Sequence, residues 1–332
     1  MDNSSYKISQ KDYEWSQSSL REIDRFFSES VVGQKMLERA LVGALIANGH
    51  VLIESVPGLA KTTAARAIAD CINGKFSRIQ CTPDLLPGDI IGTQIYRQGT
   101  GQFETVKGPV FANIVLLDEI NRSSARTQSA MLEAMAEKQV TIGGVSYPMP
   151  EDVFIVLATQ NPIEQEGTYP LSEAQEDRFL IKEKITYPTM EEELKILNMT
   201  EDFTGSIKRK PVLEVAQVKR LQTITAGVFC DTSVKQYMAA IVYATRDADR
   251  FLPTDLKGYI SLGASPRATI AFLRMSKASA LMQGRVYVTP DDVKMVARQV
   301  LRHRIVMKYM AQADGVSEDD IINSLLGSIR TP

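Results

Sequence analysis

The sequence predicts a doubly wound α/β domain followed by an all-helical one, on three observations. First, the apolar run Val51-Leu52-Ile53 enters a short loop ending in Lys61-Thr62, and a helical pattern follows with Ala64, Ala65, Ile68, Cys71 and Ile72 on one face. Second, Ile114–Leu117 and Val153–Ala158 are continuous apolar runs, the signature of strands buried on both faces of a parallel sheet. Third, helical periodicity dominates beyond about residue 190, as in Val215/Val218/Leu221/Ile224, Met238/Ile241/Val242 and Ile270/Leu273.

The elements follow in order. Residues 1–12 are polar and are expected to fray. Leu20, Ile23, Phe26 and Phe27 mark an amphipathic helix. After Val31-Val32-Gly33-Gln34, a second helix carries Met36, Leu37, Ala40, Leu41, Ala44 and Leu45. A strand is expected around Phe76–Cys81, and a hairpin over Tyr96–Val106 turned by Gly99-Thr-Gly101. A helix over Ala125–Glu137 precedes a second hairpin, Gln139–Pro148, turned by Gly143-Gly144. Phe179–Ile185 is the expected last strand. The polar segment 200–210 reads as a linker, and Thr289-Pro-Asp-Asp292 as a helix start with its cap, proline and acids in place.

The loop at His50–Thr63 carries the first chemical signal. A strand, a short loop and a helix opening on Lys-Thr form a phosphate-binding loop: backbone N–H groups and the helix N-terminus cradle an oligophosphate, the lysine reaches the outer phosphates and the hydroxyl ligates Mg²⁺. The usual pattern has glycine at the positions of Ser55 and Ala60, and only Gly58 is kept. Glycine at a strand exit permits unusual backbone angles, so Ser55 is expected to loosen binding.

Asp118-Glu119 stands directly after the Ile114–Leu117 strand, where open α/β sheets bind ligands. Asp118 suits a metal held through its water shell, and Glu119 a general base acting on water. Alone, two solvated acids would fit equally well. Asn161, ending Ala-Thr-Gln-Asn-Pro162, offers a side-chain amide that orients water without adding charge, although Asn-Pro also simply begins turns.

Composition bounds the rest. The chain has 332 residues, 44% hydrophobic and 23% charged, ordinary for a globular protein of two domains. A net charge of −2 and a pI near 5.9 disfavour sequence-independent nucleic-acid binding. Cys71, Cys81 and Cys230 form no CxxC pair, and the only histidines are His50 and His303, too little for a structural zinc site. No signal-peptide pattern and no membrane-length apolar run is present, so a cytoplasmic protein is expected.

Five motifs in order, the phosphate loop, Leu-Leu-Asp-Glu-Ile-Asn-Arg122, Ala-Thr-Gln-Asn-Pro162, Glu-Asp-Arg-Phe-Leu180 and Gly-Ala-Ser-Pro-Arg267, resemble those of the MoxR branch of AAA+ ATPases from Val31 to beyond Val288. The resemblance implies a P-loop NTPase core over 31–200, preceded by a tail and helix (1–30) and followed by an α-helical lid (201–332). It implies ATP and Mg²⁺ bound by Val32, Gln34, Pro57, Gly58, Leu59, Ala60, Lys61, Thr62, Thr63 and Asp118, with Thr62 and Asp118 toward the metal. Glu119 would be the second Walker B acid, Asn161 sensor 1, Arg178 an arginine finger completing a neighbour's site, and Arg267 sensor 2. Each arginine also has a local reading: Arg178 beside Glu176 and Asp177 could pair with acids of its own surface, and Arg267 in a first helical turn opposes the dipole by up to about 1 kcal/mol. Arg122 has no role from this pattern. The two hairpins resemble the helix-2 insertion and the insertion before sensor 1. The resemblance further implies a hexameric homo-oligomeric ring that remodels or activates a protein partner, with von Willebrand factor A-domain proteins as the class. The other readings are a nucleotide-gated binding module with little hydrolysis and a nucleic-acid motor, which the uncharged hairpin tip Ile142–Ser146 disfavours. No guanine-selective Asn-Lys-x-Asp appears.

Overall fold

The computed structural model describes residues 8–56, 58–162, 167–201 and 209–332. Pro57 and most of the expected linker, residues 202–208, lie outside the described residues. Two compact units are present. One comprises the start of the chain to Ser18, Ser172–Lys182 and Leu221–Pro332; the other comprises Ser19–Leu171 and Glu183–Arg220.

Five strands form the main sheet: β1 (Val51–Glu54), β2 (Phe76–Gln80), β5 (Ile114–Asp118), β8 (Ile155–Gln160) and β9 (Ile181–Lys184), in the order β2-β5-β8-β1-β9. β2–β5, β5–β8 and β8–β1 pair in parallel. β5 is buried at every position and β8 at all but its last, as expected of strands covered on both faces. His50, just before β1, accepts from the Val156 N–H at 3.0 Å and stands edge-on to Phe154, fixing the edge of the β1–β8 ladder. Two hairpins, β3–β4 (Gly92–Arg97, Gln102–Lys107) and β6–β7 (Gln139–Ile142, Val145–Pro148), sit apart from the sheet.

Most elements match the pattern; the strand expected at Val153–Ala158 lies at Ile155–Gln160, and three other boundaries shift for identifiable reasons. The first helix spans Gln10–Ser28, so residues 10–12 do not fray: the Ser9 hydroxyl accepts from the Asp12 N–H at 3.1 Å and caps it. The first hairpin begins at Gly92 rather than Tyr96. Gly92 has φ 104°, and a Cβ there would lie 2.2 Å from the Val106 carbonyl, so the close start of the ladder needs glycine. The last strand begins at Ile181 rather than Phe179, because side chains take up the Phe179 and Leu180 carbonyls.

In the helical unit, Thr232–Arg246, Pro266–Met282, Pro290–Leu301 and Glu318–Ser328 pack around Phe272, Leu281, Val300 and Ile322, all fully buried. The expected cap at Thr289 is present as a reciprocal box with Asp292. Asp292 is also gripped by Arg285 at 2.6 and 2.7 Å, which the pattern did not reveal. Among the described residues no helix is long and apolar enough to cross a membrane. All three cysteines are free and buried, and burial pushes the Cys71 and Cys81 thiols up to about 12.

Candidate functional site

Three adjacent strands of the sheet, β1, β8 and β5, end on the same edge and carry the expected polar residues there. β1 leads into the phosphate loop. Ser55 extends the β1–β8 ladder, donating its N–H to the Gln160 carbonyl at 3.1 Å, and its hydroxyl donates to Val56. It is not among the residues of positive φ, so the expected backbone conflict at Ser55 does not arise. The strain falls on Ala60 instead. Ala60 adopts φ 46°, ψ 17° as the residue before the helix Lys61–Cys71. The left-handed region costs a non-glycine residue about 1–2 kcal/mol. Leu59 is buried, Gly58 has φ 86° and is exposed, and Lys61 and Thr62 are half-buried in the first turn, with Thr63 exposed beside them.

At the end of β5 the two acids differ sharply. Asp118 is 7% exposed. Its Oδ1 accepts from the Thr159 hydroxyl at 2.8 Å and its Oδ2 from Arg78 Nη2 at 2.6 Å and Nε at 3.1 Å. Glu119 adopts φ 57°, ψ 54°, a strained conformation of the kind that gathers at functional sites. Its N–H is held by the Thr159 hydroxyl at 2.8 Å, so one threonine of β8 orients both acids. Glu119 Oε2 accepts from Arg122 Nη1 at 3.2 Å and from Gln80 at 3.3 Å. Arg122, without a role in the sequence, therefore neutralises Glu119. Asn161 is buried one residue beyond β8.

Thr62 and Asp118 supply a hydroxyl and a carboxylate, both hard oxygen donors. Among the described residues no group of three or more His, Cys, Asp or Glu is placed to cage a metal. One carboxylate with a hydroxyl, the remainder coming from phosphate and water, is the set Mg²⁺ takes in nucleotide sites, so the residues fit that ion.

Val32 and Gln34 flank Gly33 just before the helix Lys35–Ile46. Gly33 has φ 73°, and a Cβ there would meet Glu192 at 2.9 Å. Nearby, burial and the neighbouring Asp24 push the Glu38 carboxyl up to about 7.

Arg178 and Arg267 lie in the other unit. Arg178 is exposed, two residues beyond the short helix Glu173–Glu176. The acid beside it, Asp177, is a hub. Its Oδ1 accepts from Arg304 Nε at 2.7 Å, its Oδ2 from the Ser265 hydroxyl at 2.7 Å, and Arg267 Nη1 stands 3.8 Å from Oδ2. Ser265 is the N-cap of Pro266–Met282, accepting from the Arg267 N–H at 3.1 Å. The buried Arg304 also donates to the Phe179 and Leu180 carbonyls at 2.6 and 3.1 Å. Sequence reasoning missed Arg78, Thr159, Asp177 and Arg304, whose partners lie 40 or more residues away.

A parallel sheet of this order, with a phosphate loop after β1 and acids at the end of β5, defines a nucleotide-binding P-loop domain, here accompanied by a helical unit. The ATPase family associated with various cellular activities (AAA) matches residues 50–181, and the AAA lid domain matches residues 253–325. The chain is 48% identical over 303 residues to the chaperone MoxR1 of Mycobacterium tuberculosis, covering 91% of this chain and 79% of that one. It is 30% identical to the protein MoxR of Paracoccus denitrificans over 86% of this chain and 88% of that one. A solved structure from Cytophaga hutchinsonii, described as a candidate ATPase, superposes with a TM-score of 0.90 at 42% identity, covering 97% of this chain and 98% of that one. The chain belongs to the MoxR family of AAA+ ATPases.

Proposed function

We propose that the protein hydrolyses Mg²⁺-ATP at sites shared between neighbouring copies of a six-membered ring in the cytoplasm, and that nucleotide-driven movement remodels or activates a protein partner. The observation that carries this reading is the convergence of the Lys61 loop, Asp118-Glu119 and Asn161 at the ends of three adjacent strands. Lys61 and the N-terminus of its helix bind the outer phosphates. Thr62 and Asp118 hold the metal, and Mg²⁺, when bound, neutralises charge developing on the transferred phosphoryl group. Glu119 accepts a proton from the attacking water, its approach fixed by Thr159, and Asn161 orients that water. Arg178 reaches a neighbour's phosphate, while Arg267 reads the γ-phosphate of its own copy.

The remodelling role is supported by the relative described as a chaperone. The β3–β4 hairpin adds an exposed aromatic pair, Tyr96 and Phe103, with ring centroids 5.3 Å apart, suited to gripping a polypeptide. Partners with von Willebrand factor A-type domains follow from the family resemblance.

Glu119→Gln tests the chemistry. The variant is expected to bind Mg²⁺-ATP as the parent does and to lose turnover by about 10²-fold or more, the usual contribution of a general base. Turnover within about threefold of the parent would remove Glu119 from the reaction. No turnover in the parent, with nucleotide still bound, would instead mark a nucleotide-gated binding module.

A further inference from the structure

Both acids at the end of β5 are already matched to cations, and of the arginines that grip aspartates Arg304 and Arg78 are built differently. Arg304 is 6% exposed, and backbone carbonyls fix its guanidinium in place. Arg78 is another kind of partner. Its side chain is 49% exposed, and among the described residues it donates only to Asp118 and to Gln80 Oε1, the latter at 3.1 Å. Asp118, by contrast, is buried and tied through Oδ1 to Thr159. One member of this ion pair is fixed and the other can swing into water.

Arg78 places two nitrogens on the single oxygen Oδ2, and Thr159 occupies Oδ1. A divalent cation neutralised by the same carboxylate would sit against the guanidinium, and like charges so close repel. We propose that Arg78 is the resident counter-ion of the metal position. It neutralises Asp118 when no metal is bound and gives way when Mg²⁺ arrives with nucleotide, so that it sets the strength with which metal and nucleotide assemble the site. Its departure also releases Gln80, whose amide reaches Glu119 at 3.3 Å, so the metal's arrival is felt at the second acid. The inference rests on the Mg²⁺-nucleotide reading of Asp118.

A fixed strut and a displaceable counter-ion predict opposite signs. If Arg78 competes with the metal, removing it strengthens metal coupling and weakens the metal-free protein; if it props Asp118 for the metal, removing it weakens coupling. The test measures binding of a fluorescent, non-hydrolysable ATP analogue to the full chain in EDTA and in saturating Mg²⁺. The ratio of the two affinities is the metal's coupling to nucleotide. For Arg78→Gln the ratio is expected to rise about fivefold, the scale of a half-exposed ion pair. Its melting temperature in EDTA should fall, and the gain on adding Mg²⁺ and analogue should exceed the parent's. Arg78→Lys, which keeps the charge and loses the two-nitrogen grip, should shift the ratio in the same direction by less, and it serves if the glutamine variant does not fold. An unchanged or reduced ratio in either folded variant overturns the proposal. A parent protein whose analogue binding ignores Mg²⁺ overturns the metal reading of Asp118, and the inference with it.

Discussion

Arg304→Met is the substitution with the largest predicted structural effect. It removes the cation from a nearly dry ion pair with Asp177 and leaves that carboxylate, whose side chain is 15% exposed, with only the Ser265 hydroxyl and a distant Arg267. Breaking one side of a buried pair costs about 3–5 kcal/mol. The Leu180 carbonyl also loses a donor, worth about 1–3 kcal/mol, whereas the Phe179 carbonyl keeps His303 at 3.2 Å. These losses share one guanidinium and do not add, so a total of about 3–5 kcal/mol is expected. Urea unfolding followed by circular dichroism reads it. Arg304→Lys should recover less than half, because one ammonium cannot serve the Asp177 carboxylate and the Phe179, Leu180 and Val300 carbonyls together. The double variant with Asp177→Asn should lose less than the sum of the singles by about 1–3 kcal/mol. A loss below about 1 kcal/mol, or strict additivity, would refute the idea that Arg304 and Asp177 act together to fix the segment bearing Arg178.

Two further substitutions probe separate features. Burial, reinforced by the Arg304 charge, holds the His303 imidazole well below 6.5. The folded state therefore keeps it neutral while the unfolded chain protonates near 6.5, so stability is lost as pH falls below that value, by up to about 1.4 kcal/mol per pH unit. His303→Gln should remove this contribution, so the stability gap between parent and variant should narrow between pH 7.5 and pH 5; a constant gap would count against a neutral buried imidazole. Ala60→Gly relieves a left-handed alanine and should stabilise by roughly 0.5–1 kcal/mol despite the added chain entropy, raising the melting temperature by a few degrees. A lower melting temperature would show that the loop is not strained at Ala60.

Much of this architecture was legible in the sequence because its signals are local. Ile114–Leu117 announces a doubly covered strand, and Ala125–Glu137 a helix whose observed ends are the expected ones. The Gly143-Gly144 turn placed the second hairpin, both glycines having positive φ. What stayed hidden is long-range pairing. Thr159, just past the apolar run Val153–Ala158, has no role of its own in the motif Ala-Thr-Gln-Asn-Pro162 until folding sets it between Asp118 and the Glu119 N–H. Arg78 on β2 is an ordinary polar position until the β2–β5 register brings it beside Asp118. Ser55 shows the reverse error: the motif made it the suspect residue, yet backbone angles place the strain at Ala60. Asp177 reads as a partner for its neighbour Arg178, but its carboxylate is bound by Arg304 and Ser265 from far along the chain.

The central claim, hydrolysis of ATP at a site shared between copies, is tested most directly by mixing two inactive variants. Lys61→Ala lacks the phosphate-binding lysine but still offers Arg178; Arg178→Ala binds nucleotide but offers no finger. Each alone is expected to be inactive, and an equimolar mixture that exchanges subunits should regain Mg²⁺-dependent ATP turnover. Normal turnover by Arg178→Ala alone, or a mixture as inactive as its parts despite demonstrated exchange, would contradict the shared site.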